Sequence, residues 1–98
     1  MIDVSQITEF QWDRGNLEKS TLKHAVKPKQ TEELFLDENL LLIDDIKHSQ
    51  DEDRYIAIGQ TREQIILFAV FTVRKNKLRI ISARKANKKE RRQYEKTT

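Results

Sequence analysis

The chain contains 98 residues, of which 37 % are hydrophobic and 36 % are charged, so it has enough material for one domain with a modest core. The absence of cysteine excludes disulfide bonds and thiolate metal sites and agrees with a reducing compartment. The longest apolar run, residues 65–73, is too short to cross a bilayer, and the N-terminus lacks the pattern of a signal peptide. We therefore expect a cytoplasmic protein with one domain over residues 1–98, in which residues 1–7 form a loosely ordered extension.

The N-terminal part of the chain predicts one short strand followed by two helices. The run EFQW is typical of a strand over residues 9–12, and Asp13 after it is a favourable N-cap for a helix over residues 13–25. Pro28 ends that helix, and proline is tolerated in the first turn of the next one, which we expect over residues 28–38.

Four strands and a third helix complete the predicted fold. The strands are expected at residues 39–45, 54–60, 65–73 and 78–83. The run RKNK at residues 74–77 has the length of a hairpin turn, and Asn87 and Glu90 form a capping box that begins a helix over residues 87–96. The order β-α-α-β-β-β-β-α predicts an α+β fold, with a small antiparallel sheet, two N-terminal helices and one C-terminal helix.

The net charge of +3 conceals a strong division along the chain. Residues 74–98 contain eleven lysines and arginines against two glutamates, a net charge of +9. Residues 1–73 contain eight basic residues against fourteen acidic ones, a net charge of −6. This asymmetry favours a polyanionic partner on one face of the molecule, although a solvated basic surface without a partner is the alternative.

Strict alternation along the last predicted strand assigns its side chains to two faces of the sheet. One face would carry Arg79, Ile81, Ala83 and Lys85. The other face would carry Leu78, Ile80, Ser82 and Arg84.

Basic residues crowd the first two turns of the last helix, where the helix dipole disfavours positive charge. They are Lys88, Lys89, Arg91 and Arg92. A bound polyanion would offset this unfavourable charge, so we favour nucleic acid as the ligand of the segment. Tyr94 on the same helix could stack on a base or donate to a phosphate, or it could instead pack its ring on the sheet.

The two histidines suggest no metal site. His24 lies at the predicted end of the first helix, where it could act as a general acid or base or as a capping group. His48 lies in a polar loop, and its separation from His24 gives no zinc pattern. The acidic run at residues 51–53 lacks the spacing of an EF-hand, so we expect neither a metal nor another cofactor.

If the chain cuts RNA, these residue types favour a metal-independent route. The ribose 2′-OH would attack the adjacent phosphate, a base would take its proton, and cationic side chains would stabilise the charged phosphorus centre. The candidates for charge stabilisation are Arg54, Arg79, Arg84 and Lys85. The candidates for proton transfer are Asp53, Glu90 and His24, and spacing alone does not choose among them.

Three motifs in the chain together resemble one protein family. The first comprises Phe10, Trp12 and Asp13, followed by a helix that ends in Lys23 and His24. The second comprises Asp53, Arg54, Tyr55, Ile58 and Gly59. The third, R-I-I-S-A-R-x-A-x-x-x-E-R-x-x-Y-E, extends from Arg79 to Glu95. Over residues 8–95 the chain resembles the BrnT toxin family of bacterial type II toxin–antitoxin systems.

The resemblance implies a RelE-like α+β fold and a metal-independent endoribonuclease activity that inhibits translation. It also implies neutralisation by a BrnA-type antitoxin in a heterotetramer with an antitoxin dimer, and contact with DNA only through that antitoxin. The implied catalytic residues are His24, Arg54, Arg84 and Glu90. The implied RNA-binding residues are Lys23, Arg79, Lys85, Lys88, Arg91 and Tyr94. Trp12 matches the family as well, but it is better explained as a core residue.

The chain departs from the family pattern in the predicted first helix. Asn16 stands where the family usually has lysine, Ser20 where it has asparagine, and Ala25 where it has glycine. If the usual residues contact the substrate, we expect weaker activity here. The alternative function is a non-catalytic module that binds nucleic acid or an antitoxin without cutting RNA, and a structural subunit that docks on an acidic peptide is a third.

Overall fold

In the computed structural model, which describes residues 7, 9–12, 26–48 and 52–96, the chain forms a five-stranded sheet with helices packed on it. The strands are β1 (Glu9–Trp12), β2 (Leu41–Asp44), β3 (Tyr55–Gln60), β4 (Ile66–Arg74) and β5 (Lys77–Lys85). The helices are α1 (Pro28–Glu33) and α2 (Lys88–Glu95), with 3-10 turns at Leu34–Leu36 and Ile46–His48. This confirms the α+β class.

The sheet is mixed, whereas the sequence predicted an antiparallel one. Strands β2 to β5 form the predicted antiparallel meander, but β1 pairs in parallel with β5, with Phe10 opposite Leu78 and Trp12 opposite Ile80. The strand order is therefore β1-β5-β4-β3-β2. The physical reason is that the meander leaves one edge of β5 unpaired, and β1 satisfies those backbone groups and adds apolar side chains to the core.

The second predicted helix is present but shorter than expected. Pro28 occupies its first turn, and the Gln30 side chain accepts a hydrogen bond from the Lys27 backbone N–H at 2.8 Å. After Glu33 the backbone tightens into the 3-10 turn that carries Leu34. The first predicted helix, at residues 13–25, lies outside the described residues.

One face of the sheet forms the core under α1 and its 3-10 turn. Leu34 is fully buried there, and Phe35 contacts Phe71 edge-on with ring centroids 5.3 Å apart. The sheet contributes Leu67, Ala69, Leu78, Ile80 and Ala83 to this cluster. Trp12 packs against the same cluster, in agreement with its interpretation as a core residue.

A β-bulge in β5 shifts the alternation of its side chains. Phe71 pairs with Ile80 and Val70 pairs with Ser82, so Ile81 is an extra residue without a partner on β4. The predicted faces were therefore wrong beyond Ile80. Arg79 and Arg84 lie on the same face of the sheet, as the partners of Thr72 and Phe68. We call this second face the site face; on β4 and β5 it carries Phe68, Val70, Thr72, Arg79, Ser82 and Arg84.

Helix α2 begins with the capping box that the sequence predicted. The Asn87 side chain accepts a hydrogen bond from the Glu90 N–H, and the Glu90 carboxylate accepts one from the Asn87 N–H, both at 2.8 Å. Glu90 and Tyr94 point inward, and the helix contacts β3. No helix in the described ranges is long and apolar enough to span a membrane.

Candidate ribonuclease site

Contacts with three residues hold the Arg84 side chain on the site face. Its Nη1 and Nη2 donate to the two carboxylate oxygens of Glu90 at 2.7 and 2.8 Å. The guanidinium carbon lies 4.2 Å from the ring centre of Phe68, which is its register partner on β4. Nη1 also donates to the carbonyl oxygen of Lys85 at 3.3 Å. A bidentate ion pair and a ring face therefore fix both the position and the plane of the guanidinium.

The guanidinium of Arg84 still has donors to offer. Of its five N–H groups, two bind Glu90 and one binds Lys85. The Nε–H and the second Nη2–H have no partner within the part of the chain that the structure describes. The side chain is 36 % exposed, and these two donors have the geometry to bind a ligand with two acceptor oxygens, such as a phosphate.

Glu90 is held by Arg84 and by the start of its own helix. Burial opposes its ionisation, but the hydrogen bonds from Arg84 and from the Asn87 backbone outweigh burial and lower the pKa of Glu90. The hydrogen bonds to Glu90 raise the pKa of Arg84 in turn. Both groups are therefore charged at neutral pH, and the carboxylate is a poor proton acceptor there.

Arg79 lies further along the site face. Its partner Thr72 and the partner of Arg84, Phe68, are four residues apart on β4, which separates the two rows by about 13 Å. Arg54 directly precedes β3, whose first residue Tyr55 pairs with Phe71. If that register continues by one residue, Arg54 lies next to Thr72, on the side away from Arg79. The sheet therefore brings Arg79 and Arg84 to one face in separate rows, and Arg54 would join the row of Arg79.

Among the described residues, the other predicted cations lie at the end of β5 and on α2. Lys85 ends β5 opposite Leu67, and its side chain is exposed. Lys88, Lys89, Arg91 and Arg92 are also exposed on α2. These side chains add positive charge close to Arg84, and their exposure agrees with an electrostatic role rather than a packing role.

Tyr94 and Asp37 form a second polar contact of α2. Tyr94 is 3 % exposed, and its hydroxyl donates to Oδ2 of Asp37 at 2.6 Å. Burial, followed by the contact with Asp37, raises the pKa of Tyr94 to about 12. This placement agrees with the alternative in which Tyr94 packs in the fold, and it leaves the ring inaccessible for stacking on a nucleotide base.

Asp37 was missed by sequence reasoning. Its partners lie up to 57 residues away, and its surroundings contain no recognisable local motif. Lys23 and His24, in contrast, were predicted as site residues and lie outside the described residues. Across the described ranges, no three histidine or acidic side chains lie close enough together to hold a metal ion.

Comparison with known proteins places the chain in a family. Residues 12–90 match the family described as the ribonuclease toxin BrnT of type II toxin-antitoxin systems. The fold is similar to the crystal structure of the Brucella abortus ribonuclease toxin BrnT, with 25 % identity and a TM-score of 0.64, over 83 % of this chain and 99 % of that one. No significant match was found among curated proteins. The chain belongs to the BrnT family of ribonuclease toxins of type II toxin–antitoxin systems.

Proposed function

We propose that this BrnT-family chain is a metal-independent endoribonuclease in which Arg84 binds the scissile phosphate. The observation that carries the proposal is a pair of N–H donors, without a partner among the described residues, on a partly exposed guanidinium that Glu90 and Phe68 already hold in place. A pre-oriented donor pair stabilises charge that develops on phosphate oxygens without reorganising during the reaction. The exposed cations of α2 then attract the RNA backbone to the site.

In the proposed reaction, the ribose 2′-oxygen forms a bond to phosphorus and the bond from phosphorus to the 5′-oxygen breaks. A base takes the proton of the 2′-OH, and an acid returns a proton to the departing 5′-oxygen. Arg84 stabilises the negative charge on the non-bridging oxygens, and Arg54 and Arg79 bind the RNA further along the site face. This gives Arg79 the RNA-binding role that the family resemblance implied and gives Arg54 a related one.

In this proposal Glu90 does not transfer a proton. Its two oxygens accept three hydrogen bonds, from Nη1 and Nη2 of Arg84 and from the Asn87 N–H. A carboxylate used in this way orients Arg84 and keeps it charged. Of the two remaining candidates for proton transfer, Asp53 and His24, we propose His24, because histidine is the side chain that most often acts as a general acid or base.

The test is cleavage of single-stranded RNA by the purified protein in the presence of EDTA. We expect wild-type cleavage to persist, and Arg84→Lys to lower kcat by about 100-fold, because a lysine keeps the charge but not the paired donors. Arg62→Lys, the same change at an exposed arginine in the turn after β3, is the matched control and is expected to retain activity. Full activity of Arg84→Lys would exclude the proposed role of Arg84.

The same experiment decides the alternative of a non-catalytic module. Binding of RNA by the wild-type protein without any cleavage, with and without EDTA, would favour that alternative. Glu90 gives this alternative some support, because the carboxylate that contacts Arg84 already accepts three hydrogen bonds and is a poor proton acceptor.

We also propose the cellular setting that the family implies. The chain would act in the cytoplasm on RNA that is needed for translation, have a RelE-like fold, and be neutralised in a heterotetramer with a BrnA-type antitoxin. It would contact DNA only through the antitoxin. Induced expression should arrest growth and protein synthesis, and co-expression of the antitoxin should restore both. Growth arrest by an Arg84→Lys variant that cannot cut RNA would contradict the proposal.

A further inference from the structure

Asp37 connects three separate parts of the fold through its carboxylate. Oδ2 accepts hydrogen bonds from the Tyr94 hydroxyl at 2.6 Å and from the Gln60 backbone N–H at 2.8 Å. Oδ1 accepts one from the Asn39 N–H at 2.9 Å. Asp37 follows the 3-10 turn after α1, Gln60 ends β3, and Tyr94 lies in the last turn of α2, so one side chain joins all three elements.

The close approach of Asp37 to β3 depends on Gly59. A Cβ atom at Gly59 would lie 2.9 Å from Cδ1 of Leu40 and 3.4 Å from Oδ2 of Asp37. A larger side chain would therefore crowd the carboxylate at the point where it accepts from Gln60. This explains, in physical terms, why glycine suits the end of the motif that contains Arg54 and Tyr55.

Helix α2 is held on the sheet at two points of one face. Glu90 and Tyr94 are four residues apart, so both project from the same side of the helix. Glu90 binds Arg84, and Tyr94 binds Asp37. A helix of eight residues is too short to be stable or well placed without such tertiary contacts.

We propose that Asp37 is a positioning residue for Arg84, acting through Tyr94 and the placement of α2. Its role in cleavage rests on the proposed function, but its effect on the Arg84 side chain does not. Asp37 fixes the last turn of α2, which sets the position of Glu90 one turn earlier, and Glu90 sets the plane of the guanidinium. Asp37 itself has no contact with RNA in this arrangement.

The charge state of Asp37 supports this role. Burial opposes its ionisation, but the hydrogen bonds from Tyr94, Asn39 and Gln60 together lower its pKa below the ordinary value. At neutral pH the carboxylate is ionised, and charge-assisted hydrogen bonds of this kind are stronger than neutral ones. In Asp37→Asn an amide oxygen at the Oδ2 position could still accept from Tyr94 and Gln60, but it carries no charge and the amide nitrogen would face the Asn39 N–H. The contact with Tyr94 is therefore expected to weaken, as in Tyr94→Phe.

The first part of the test measures the kinetics of RNA cleavage by Tyr94→Phe and Asp37→Asn. We expect kcat to fall about tenfold, the size expected for loss of one charged hydrogen bond, with KM changed less than twofold because the exposed cations still bind RNA. In an Arg84→Ala background, Tyr94→Phe should cause no further loss. Tyr55→Phe, which removes the hydroxyl of the tyrosine that begins β3, is the matched control and should retain wild-type kcat.

The second part of the test follows the Arg84 side chain directly and needs no catalytic activity. The NMR signal of the Arg84 Nε–H should shift, and guanidinium rotation should become faster, in Tyr94→Phe and Asp37→Asn but not in Tyr55→Phe. An unchanged Arg84 signal in both variants would overturn the proposal, and so would an equal loss of kcat in the Arg84→Ala background. If the wild-type protein cleaves no RNA, the proposed function fails, and the NMR result alone decides the role of Asp37.

Discussion

Arg84 shows how a single charged residue can be kept both rigid and available. Its ion pair with Glu90 occupies one edge of the guanidinium, and Phe68 covers one face. Fixing an arginine side chain costs about 2 kcal/mol of rotamer entropy, and these contacts meet that cost before any ligand binds. The other edge of the guanidinium can then bind phosphate with a smaller loss of side-chain conformational entropy than a mobile lysine or arginine would have.

Residue-level prediction from the sequence succeeded where the contact was local. Asn87 and Glu90 are three residues apart, so their capping box could be predicted, and the structure confirms it. The pair of Arg84 and Glu90 spans the junction of a strand and a helix, and no periodicity rule covers that spacing. The contact of Asp37 with Tyr94 joins residues 57 positions apart and depends on the whole fold.

Acid should weaken the fold through Glu90 and Asp37. Each has a pKa below its ordinary value, 4.5 for Glu90 and 3.8 for Asp37, so the unfolded chain takes up protons first as the pH falls. Their stabilising contribution is complete above those values and is lost as the pH falls through the lower pKa of the folded state. Urea unfolding between pH 7 and pH 3 should show a shallower loss of unfolding free energy below about pH 4.5 in Glu90→Gln than in the wild type. Identical slopes would contradict this assignment.

At the scale of elements, the bulge in β5 determines which residues face the site. Simple alternation separated Arg79 from Arg84, and the extra residue Ile81 brings them to one face. A bulge is hard to recognise in a sequence, because it shifts the alternation of apolar and polar residues by one position and leaves the composition of the strand unchanged. The burial of Ala83 beside Ile80, on the core face, is the consequence that a strictly alternating strand could not produce.

The pairing of β1 was also beyond prediction from local patterns. The run EFQW predicted a strand, and the structure confirms it at Glu9–Trp12. Its partner, β5, lies almost seventy residues later, and nothing within either strand specifies a parallel register. The pairing depends on the whole molecule, because β1 covers the free edge of β5 and packs Phe10 and Trp12 against the core.

Helix α2 should be sensitive to its N-cap. Asn87→Ala removes the side-chain acceptor of the Glu90 N–H and is expected to lower the free energy of unfolding by about 1 kcal/mol. It should also reduce RNA cleavage, since the same turn positions Glu90 for Arg84. Asn87→Asp is the matched control, because aspartate caps helices as well as asparagine does. Urea denaturation measures the difference, and equal destabilisation by both variants would contradict the capping explanation.

At the scale of the whole molecule, the basic and acidic parts of the chain form different elements of the fold. The basic C-terminal quarter, with a net charge of +9, forms β5 and α2, and seven of its eleven lysines and arginines lie between Arg84 and Lys96. The acidic remainder of the chain supplies strands β1 to β3, helix α1 and Asp37. The sequence predicted this division of charge, because charge counts do not depend on tertiary structure, and a polyanion site on the basic part stays a prediction. It could not predict that a distant aspartate supports the basic helix.

RNA binding should therefore depend steeply on salt, and the exposed cations of α2 should set the slope. For single-stranded RNA, each phosphate contact adds about 0.7 to the slope of log affinity against log salt. Lys88→Gln and Arg92→Gln should each lower the slope by about that amount and raise KM, with kcat unchanged and the unfolding free energy raised by at most about 0.5 kcal/mol through the helix dipole. Lys75→Gln makes the same charge change in the β4–β5 turn, at the end of β5 far from α2, and should leave the slope intact. If all three substitutions lowered the slope equally, RNA affinity would depend on net charge alone. The slope would then give no reason to place the RNA beside Arg84.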